Sequence, residues 1–393
     1  MEKYLPDPYI FVAILTAIVV GLGMIFTDSS FVDMTIYWGD GFWGILAFTM
    51  QMVIVLAAGH VLANSPLFKK VLSGAASKIK TPSMAIIVVT FVSLVACWIN
   101  WGFGLVIGAL FAKEIARQVR KVDYRLLIAS AYSGMVIWHG GLAGSIPLSI
   151  ATEGHPFQDV MGVVDTNTTL FSTYNLFIVL VILFTLPFFN RFLMPKDEDV
   201  VEIDPSLIKD EEIALPKPEK NFASISERSY IITGIVGLLG VTYIVYHFAT
   251  KGFKLDLNII NTIFVISGII LHGTPQRFLA AAQQAIKTTS GIVFQFPFYA
   301  GIMGMMTFSG LGAVMSDWFI NISNDTTFYL FTFYSAGLVN FFVPSGGGQW
   351  TVQAPVMLEA ATTMGADYAN TAISIAWGDA WTNVIQPFWA LPA

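Results

Sequence analysis

The sequence has few charged residues, a single cysteine, and long stretches without lysine or arginine. Charged residues make up 12% of its 393 residues, against about 25% in an ordinary soluble domain, while 55% are hydrophobic. Cys97 stands alone, so a disulfide framework within the chain is excluded. The net charge of −6 argues against a nucleic-acid partner. Scarce charge and long apolar runs instead predict a polytopic membrane protein surrounded by membrane lipid.

Apolar runs recur along the chain at lengths that suit a bilayer, for which a helix needs about 20 residues. The runs predicted to span are Pro8–Phe26, Phe42–Ala63, Leu126–Ile150, Leu170–Phe189, Tyr230–His247, Leu257–Leu271 and Gly291–Phe308. Three further runs, Pro66–Lys80, Pro275–Lys287 and Leu311–Ile322, predict helices at the membrane interface.

The stretch Pro344–Trp350 separates two apolar runs, Phe328–Val343 and Thr351–Ala361, which are each short for a span. Because three glycines after a proline interrupt a helix, we expect a re-entrant hairpin with Ser345–Gly348 as its non-helical tip. The second half-helix would then point free N–H groups at a ligand. Asn100–Gly104 predicts a second tip of the same kind.

The two halves of the sequence repeat. An offset of 244 places Gly102 on Gly346 and pairs one hairpin with the other. It also pairs two segments expected to interrupt a helix, Trp138–Pro147 and Gly378–Asn383. Five crossings precede the second half, and an odd number predicts inverted-topology repeats. The predicted domains are a first inverted repeat (1–190), a cytoplasmic loop plus linking transmembrane helix (191–253), and a second inverted repeat (254–393).

The distribution of positive charge predicts the orientation. With a cytoplasmic N-terminus, all 20 Lys and Arg residues except Lys251 and Lys254 fall on the inner side. We therefore expect a multi-pass protein with its N-terminus in the cytoplasm. The hairpins then enter from opposite faces, so the tips Asn100–Gly104 and Ser345–Gly348 should lie near each other at mid-membrane.

The membrane core offers no fixed cation to a substrate, because no Lys or Arg lies between Arg125 and Arg191 or after Lys287. An anion would be held by helix N-termini, backbone N–H groups, hydroxyls and amides. The predicted substrate-binding residues are Asn100, Trp101, Gly102, Gly104, Ser145, Ser345, Gly346, Gly347, Gly348, Thr382 and Asn383. The neighbouring aromatic residues Phe103, Trp138, Trp350 and Trp381 would suit a short aliphatic tail, or would serve packing and interfacial anchoring.

Asp379 and His139 are the predicted ion-coupling residues, since each lies in one of the predicted helix interruptions. An intramembrane carboxylate is costly and usually marks an ion or proton pathway, the alternative being a solvated helix end. Burial would favour a protonated Asp379 and H⁺ coupling, whereas Na⁺ would keep the carboxylate ionised. His139 could titrate or act as a structural hydrogen-bond donor. The sequence contains no H-E-x-x-H, no G-x-S-x-G and no Cys/His cluster, so we predict no metal site, no cofactor and no catalytic residues.

Several long and unusual strings carry a resemblance to a known family. They are Trp38–Trp43, Ile99–Gly104, Gln295–Gly301, Val343–Trp350 and Gln386–Pro392. They resemble the short-chain fatty acid transporter family, the AtoE-type permeases, which looks like a branch of the ion-transporter superfamily. The resemblance implies an all-α polytopic membrane protein with two inverted-topology repeats, each with a re-entrant helical hairpin and a broken transmembrane helix. It also implies elevator-type alternating access, and it leaves a homodimer open.

The same resemblance implies a secondary active transporter, not an enzyme, that moves short-chain carboxylates such as acetate, butyrate or acetoacetate across a bacterial-type cell inner membrane by cation-coupled symport. A passive small-anion channel and a dicarboxylate transporter of the same superfamily stay open as alternatives. Superfamily resemblance favours Na⁺ as the coupling ion, while the isolated Asp379 favours H⁺. Family members continue beyond the segment matching Trp389–Pro392 into a final helix, so the resemblance implies that the second repeat lacks its last helix.

Overall fold

The computed structural model describes residues 6–208, 215–386 and 388, and in these ranges the regular structure is helical, without strands. The first ten helices are α1 (Pro8–Phe26), α2 (Phe31–Gly41), α3 (Leu46–Ala63), α4 (Pro66–Ala76), α5 (Pro82–Ile99), α6 (Trp101–Gln118), α7 (Tyr124–Ser133), α8 (Ser145–Ile150), α9 (Gln158–Met161) and α10 (Thr173–Phe192). The others are α11 (Phe222–Glu227), α12 (Tyr230–Lys251), α13 (Leu257–His272), α14 (Pro275–Lys287), α15 (Ser290–Phe308), α16 (Leu311–Ile322), α17 (Phe328–Asn340), α18 (Gly346–Met364) and α19 (Tyr368–Asn383). Short 3₁₀ helices cover Gly134–Gly140, Asp197–Asp199 and Pro205–Leu207.

Seven helical segments in the described part of the chain are long and apolar enough to cross a membrane. They are Pro8–Phe26, Leu46–Ala63, Pro82–Ile99, Tyr124–Ile150, Thr173–Phe192, Tyr230–Lys251 and Ser290–Phe308. The predicted class, an all-α polytopic membrane protein, is confirmed. One predicted span is short: α13 has 16 residues, fewer than the roughly 20 that a spanning helix needs.

Helix starts follow ordinary capping chemistry. The Asp7 side chain accepts a hydrogen bond from the backbone N–H of Tyr9 at the start of α1. Ser30 and Asp33 form a capping box that begins α2, a helix that the apolar pattern did not predict. Proline occupies the first position of α1, α4, α5 and α14, where its missing N–H costs little.

The chain forms two compact units, and each takes segments from both halves of the sequence. The first unit comprises Met1–Val53, Gly144–Ser172 and Ser290–Pro392, and the second comprises Ile54–Ala143 and Thr173–Thr289. The units therefore do not coincide with the repeats proposed from the sequence, and the inverted repeat itself stays a prediction.

The two glycine-containing stretches expected to be non-helical tips are the first turns of helices instead. Trp101–Gly104 begins α6, and Gly346–Gly348 begins α18. None of the glycines in them has a positive φ. The chain turns one residue earlier in each case, at the extended residues Asn100 and Ser345. The glycines are needed for close packing against neighbouring residues.

The two predicted helix interruptions have different outcomes. After α7 the backbone tightens into the 3₁₀ helix Gly134–Gly140 and then leaves helical geometry before α8, so the first interruption is confirmed. In contrast, α19 continues through Gly378–Asn383 and ends only there, so the second interruption was placed too early. Gly378 serves helix packing, because a Cβ at this position would lie 2.2 Å from the carbonyl oxygen of Phe333 in α17.

Helices α17 and α19 run parallel within the first unit. At their beginnings, the backbone N–H of Asp367 donates to the Tyr329 hydroxyl over 2.9 Å. At their ends, Asn340 Nδ2 lies 2.8 Å from Asn383 Oδ1. Helix α18 returns antiparallel to α17, so its N-terminal turn lies level with the C-terminal ends of both helices.

In the second unit, part of the long polar loop is fastened to the turn between α6 and α7. The Asp123 carboxylate accepts hydrogen bonds from the Arg125 guanidinium (2.8 Å) and from the backbone N–H groups of Val201 (2.9 Å) and Leu126 (2.9 Å). The carbonyl of Val201 in turn accepts from the N–H of Tyr124. Burial alone would raise the pKa of Asp123, but these hydrogen bonds outweigh it and lower the pKa from 3.8 to about 2.

Candidate functional site

Asp379 lies in the last turns of α19 and is fully buried in the first unit. Its Oδ2 accepts a 2.9 Å hydrogen bond from Asn383 Nδ2, one turn further along the helix. The described residues of the first unit contain no lysine or arginine, since all such described residues belong to the second unit. A buried carboxylate in a unit without a fixed cation is the arrangement expected of an ion or proton pathway.

The Asn340 side chain joins the C-terminal end of α17 to α19 beside this carboxylate. Its Nδ2 has three acceptors within reach for two hydrogens: the Asp379 carbonyl at 3.1 Å, Thr382 Oγ1 at 2.8 Å and Asn383 Oδ1 at 2.8 Å. Asn340 is fully buried, and its Oδ1 has no hydrogen-bond partner among the described residues. Asn383 Oδ1 accepts a hydrogen bond from Asn340, and this fixes the Asn383 side chain with its NH₂ group toward Asp379.

A second carboxamide, Gln349, connects α18 to α17. Gln349 Nε2 donates to the carbonyl of Ala336 over 2.9 Å and to Gln353 Oε1 over 3.1 Å. Gln353 Nε2 in turn donates a hydrogen bond to Ser335 Oγ over 3.0 Å. Gln349 is fully buried, and its Oε1 also lacks a partner in the described part of the chain. These amides fix the start of α18 against α17.

Ser345 caps the N-terminal turn of α18. Its Oγ lies 3.4 Å from the N–H of Gly348, and its carbonyl accepts from Gln349 N over 2.7 Å. The glycines Gly346 and Gly347 are buried in the first turn of a 19-residue helix, where backbone N–H groups lack intrahelical acceptors. This turn is therefore suited to a carboxylate, as the sequence predicted for a hairpin tip.

Three buried aromatic side chains, Phe48, Phe296 and Tyr299, pack against this turn, and we call them the ring wall. A Cβ at Gly347 would lie 2.9 Å from Phe48 Cζ and 3.2 Å from Phe296 Cζ. A Cβ at Gly348 would lie 2.6 Å from Tyr299 Cδ2. The tip glycines are therefore explained by contact with rings rather than by a special backbone conformation.

Ser145 and Trp350 are two further residues that belong to the first unit. Ser145 begins α8, is buried, and lies on a helix that packs against α18 and α19. Trp350, in the second turn of α18, meets the Phe157 ring edge to face at 5.5 Å. Trp381 is different, because it is 39% exposed and stacks on Phe333.

The second unit holds the other predicted residues. Asn100 is fully buried and caps α6, since its Oδ1 accepts from the N–H of Phe103 (2.9 Å) and its Nδ2 donates to the Val55 carbonyl (3.3 Å). Gly102 and Gly104 allow close packing, because a Cβ would lie 3.0 Å from Leu56 Cα and 2.4 Å from Cys97 N, respectively.

Trp101 meets the Trp138 ring edge to face at 5.6 Å. His139, the next residue, is fully buried within the 3₁₀ helix. Nearby, the Gly140 carbonyl accepts from Asn175 Nδ2 over 3.2 Å, which ties this segment to α10. The second unit thus brings the α6 N-terminus together with the predicted helix interruption.

The structure therefore groups the predicted residues into two sets. Ser145, Ser345–Gly348, Asp379, Thr382 and Asn383 belong to the first unit, and Asn100, Trp101, Gly102, Gly104 and His139 belong to the second. That the two tips lie near each other stays a prediction, as do the substrate and ion roles. Sequence reasoning missed Asn340 and Gln349, although an amide inside an apolar run was the available signal. It also missed Phe48 as a neighbour of the tip.

Comparison with solved structures identifies known proteins of the same fold. The fold is similar to the YdaH transporter of Alcanivorax borkumensis, with a TM-score of 0.60 and 14% identity over 98% of this chain and 89% of that one. It is also similar to MtrF of Neisseria gonorrhoeae, described as one of a class of antimetabolite efflux pumps, with a TM-score of 0.53 and 12% identity over 98% and 86% of the two chains. At such identities the likeness concerns the fold alone, which this chain shares with these two proteins.

Sequence comparison identifies the family. The short chain fatty acid transporter family matches residues 1–393, and the chain belongs to that family. A relative from Escherichia coli (strain K12) is 46% identical over 396 residues, covering 100% of this chain and 90% of the relative. Another from Haemophilus influenzae is 45% identical over 402 residues with the same coverage. Both are provisionally named as short-chain fatty acid transporters.

Proposed function

We propose that the protein is a secondary active transporter that moves short-chain monocarboxylates together with a cation, and that Asp379 is the coupling carboxylate. The observation that carries the proposal is the complete burial of Asp379 in a unit whose described residues contain no lysine or arginine. A carboxylate substrate entering this unit would be repelled by an ionised Asp379. Binding of H⁺ or Na⁺ would remove that repulsion, so substrate and cation would bind together.

The N-terminal turn of α18 supports a carboxylate site in this mechanism. It offers backbone N–H groups at the positive end of a helix dipole, and it lies level with the end of α19 that carries Asp379. The buried hydroxyl and amide of Thr382 and Asn383 are further polar groups in this region. We extend the proposal to elevator-type alternating access, since the chain divides into two compact units.

Uptake by purified protein in liposomes tests the proposal. Labelled butyrate should accumulate against its gradient when a cation gradient is imposed, with Na⁺ and pH gradients applied in separate arms. An H⁺ carrier loses accumulation when the pH gradient is removed, whereas a Na⁺ carrier keeps it while Na⁺ is unequal. Flux that only equilibrates, whichever gradient is applied, would establish the passive channel instead.

Asp379→Asn is the decisive variant. It should abolish accumulation under both gradients and still allow exchange of labelled for unlabelled butyrate. The matched control is Asp367→Asn at the exposed N-cap of the same helix, where asparagine caps as well as aspartate. Normal accumulation by Asp379→Asn would show that the coupling site lies elsewhere.

A further inference from the structure

The ring wall lies at the level of the first N–H groups of α18. Every Cα–Cβ bond of an α-helix tilts toward the N-terminus. Atoms within about 3 Å of a Cβ at Gly347 therefore lie beside the open end of the helix and not beside its middle. Phe48 Cζ at 2.9 Å and Phe296 Cζ at 3.2 Å occupy this place.

The ring wall is continuous and buried. The centroids of Phe48 and Phe296 are 6.0 Å apart, and those of Phe296 and Tyr299 are also 6.0 Å apart. Their exposures are 5%, 2% and 0%, so the three rings are packed by the unit itself. The acyl tail of a bound carboxylic acid lying along these rings would meet an apolar surface. The rings could move little to make room for it, because protein interiors are close-packed.

Trp350 gives an independent sign that the helix end receives a ligand. Its indole Nε1 is buried in a side chain only 1% exposed, and it has no hydrogen-bond partner among the described residues. Trp350 lies one turn after Gly346 and Gly347 on the same face of α18, and long side chains in helices lean back toward the N-terminus, so the indole ring lies over the first turn of this helix. A buried donor is costly unless it is paired, so a bound carboxylate would supply the missing acceptor.

We propose that Phe48 and Phe296 set the upper chain length of the carboxylic acids that the protein accepts. The inference rests on the proposed function. With the carboxylate at the N–H groups of Gly346 and Gly347, the acyl tail leaves beside the two phenyl rings. A tail of a few carbons ends against them, and each additional methylene has to displace a ring. Replacing a ring with a smaller side chain creates room for a longer acid.

The test compares acids of two, four, six and eight carbons on the wild type, Phe48→Leu and Phe48→Ala. Affinity is measured twice, by competition with labelled butyrate uptake in liposomes and by the thermal stabilisation that each acid gives in detergent. The second measurement keeps a folded but inactive variant informative. Wild-type butyrate uptake reports on the proposed function, whereas the ratio of hexanoate to butyrate affinity reports on the chain-length inference.

We expect that ratio to rise about 4-fold for each methylene that the new space accommodates, with Phe48→Ala exceeding Phe48→Leu. Phe328→Leu is the matched control, because Phe328 is equally buried but packs against Ala360 and Ala361, about 20 Å along α18 from the tip. Its ratio should equal that of the wild type. Unchanged ratios in both Phe48 variants, with butyrate still bound, would overturn the inference and leave the proposed function intact. No butyrate uptake by the wild type would refute the proposed function itself.

Discussion

Replacing Asn340 with alanine should loosen the attachment of α17 to α19. The substitution removes the contacts of Asn340 Nδ2 to the Asp379 carbonyl, Thr382 Oγ1 and Asn383 Oδ1, all between 2.8 and 3.1 Å. Interhelical hydrogen bonds in membrane proteins contribute on average about 0.6 kcal/mol and at most about 1.7 kcal/mol each. Since the amide has two hydrogens to donate, we expect Asn340→Ala to lower the free energy of unfolding by roughly 1–3 kcal/mol.

Denaturant unfolding in detergent, followed by tryptophan fluorescence, measures this loss. Asn167→Ala is the control, because Asn167 is exposed in a loop of the same unit and should change stability by less than about 0.5 kcal/mol. A cycle that combines Asn340→Ala with Thr382→Val should show non-additive losses, since the two side chains share a hydrogen bond. If Asn340→Ala is as stable as the control, the amide does not hold the two helices together.

Three further predictions concern glycine packing and the polar loop. Gly347→Val should weaken butyrate binding. Because the new Cβ would press on Phe48, the substitution should also lower the free energy of unfolding by roughly 1–3 kcal/mol. Unchanged butyrate affinity in the folded variant would show that this turn is not the site. Gly378→Ala should unfold at lower denaturant than the wild type, because its Cβ would lie 2.2 Å from the Phe333 carbonyl; wild-type stability would contradict the close packing of α17 and α19. Asp123→Asn should lower the free energy of unfolding by about 2 kcal/mol at neutral pH, because folding lowers the pKa of this carboxyl from 3.8 to about 2. The ionised carboxyl stabilises the fold above pH 3.8, and this contribution is lost as the pH falls from 3.8 to about 2. The gap to the wild type should therefore close between about pH 4 and pH 2, and a gap that persists at pH 2 would exclude Asp123 as its cause.

Local signals were enough to predict most helices. Leu311–Ile322 and Pro275–Lys287 were predicted with the bounds that α16 and α14 have. Gly310, with a φ of +75°, precedes α16, and proline begins α14. Such breaks depend on one or two residues, so a sequence displays them directly.

The packing role of the glycines could not be predicted, because it depends on distant partners. Three glycines after a proline are equally compatible with an irregular tip and with a helix pressed against rings. The ring that leaves no room for a side chain at Gly347 belongs to Phe48, about 300 residues earlier in the chain. In the same way, the role of Asn340 depends on its hydrogen bonds to Asp379, 39 residues away, and to Asn383 beyond it. Sequence patterns of short period carry no information about such pairs.

The division of charge between the units supports the proposed coupling of substrate transport to a cation. Every described lysine and arginine belongs to the second unit, where the positive-inside rule can act on loops and interfacial helices. Among its described residues, the first unit has carboxylates, Asp379 among them, and offers an anion dipoles and neutral donors but no lysine or arginine. Dipoles hold one carboxylate but do not cancel the charge of a second one nearby, because each counts for only about half an elementary charge. The proposed coupling rests on this argument, since a cation bound together with the substrate would cancel the charge that the dipoles leave.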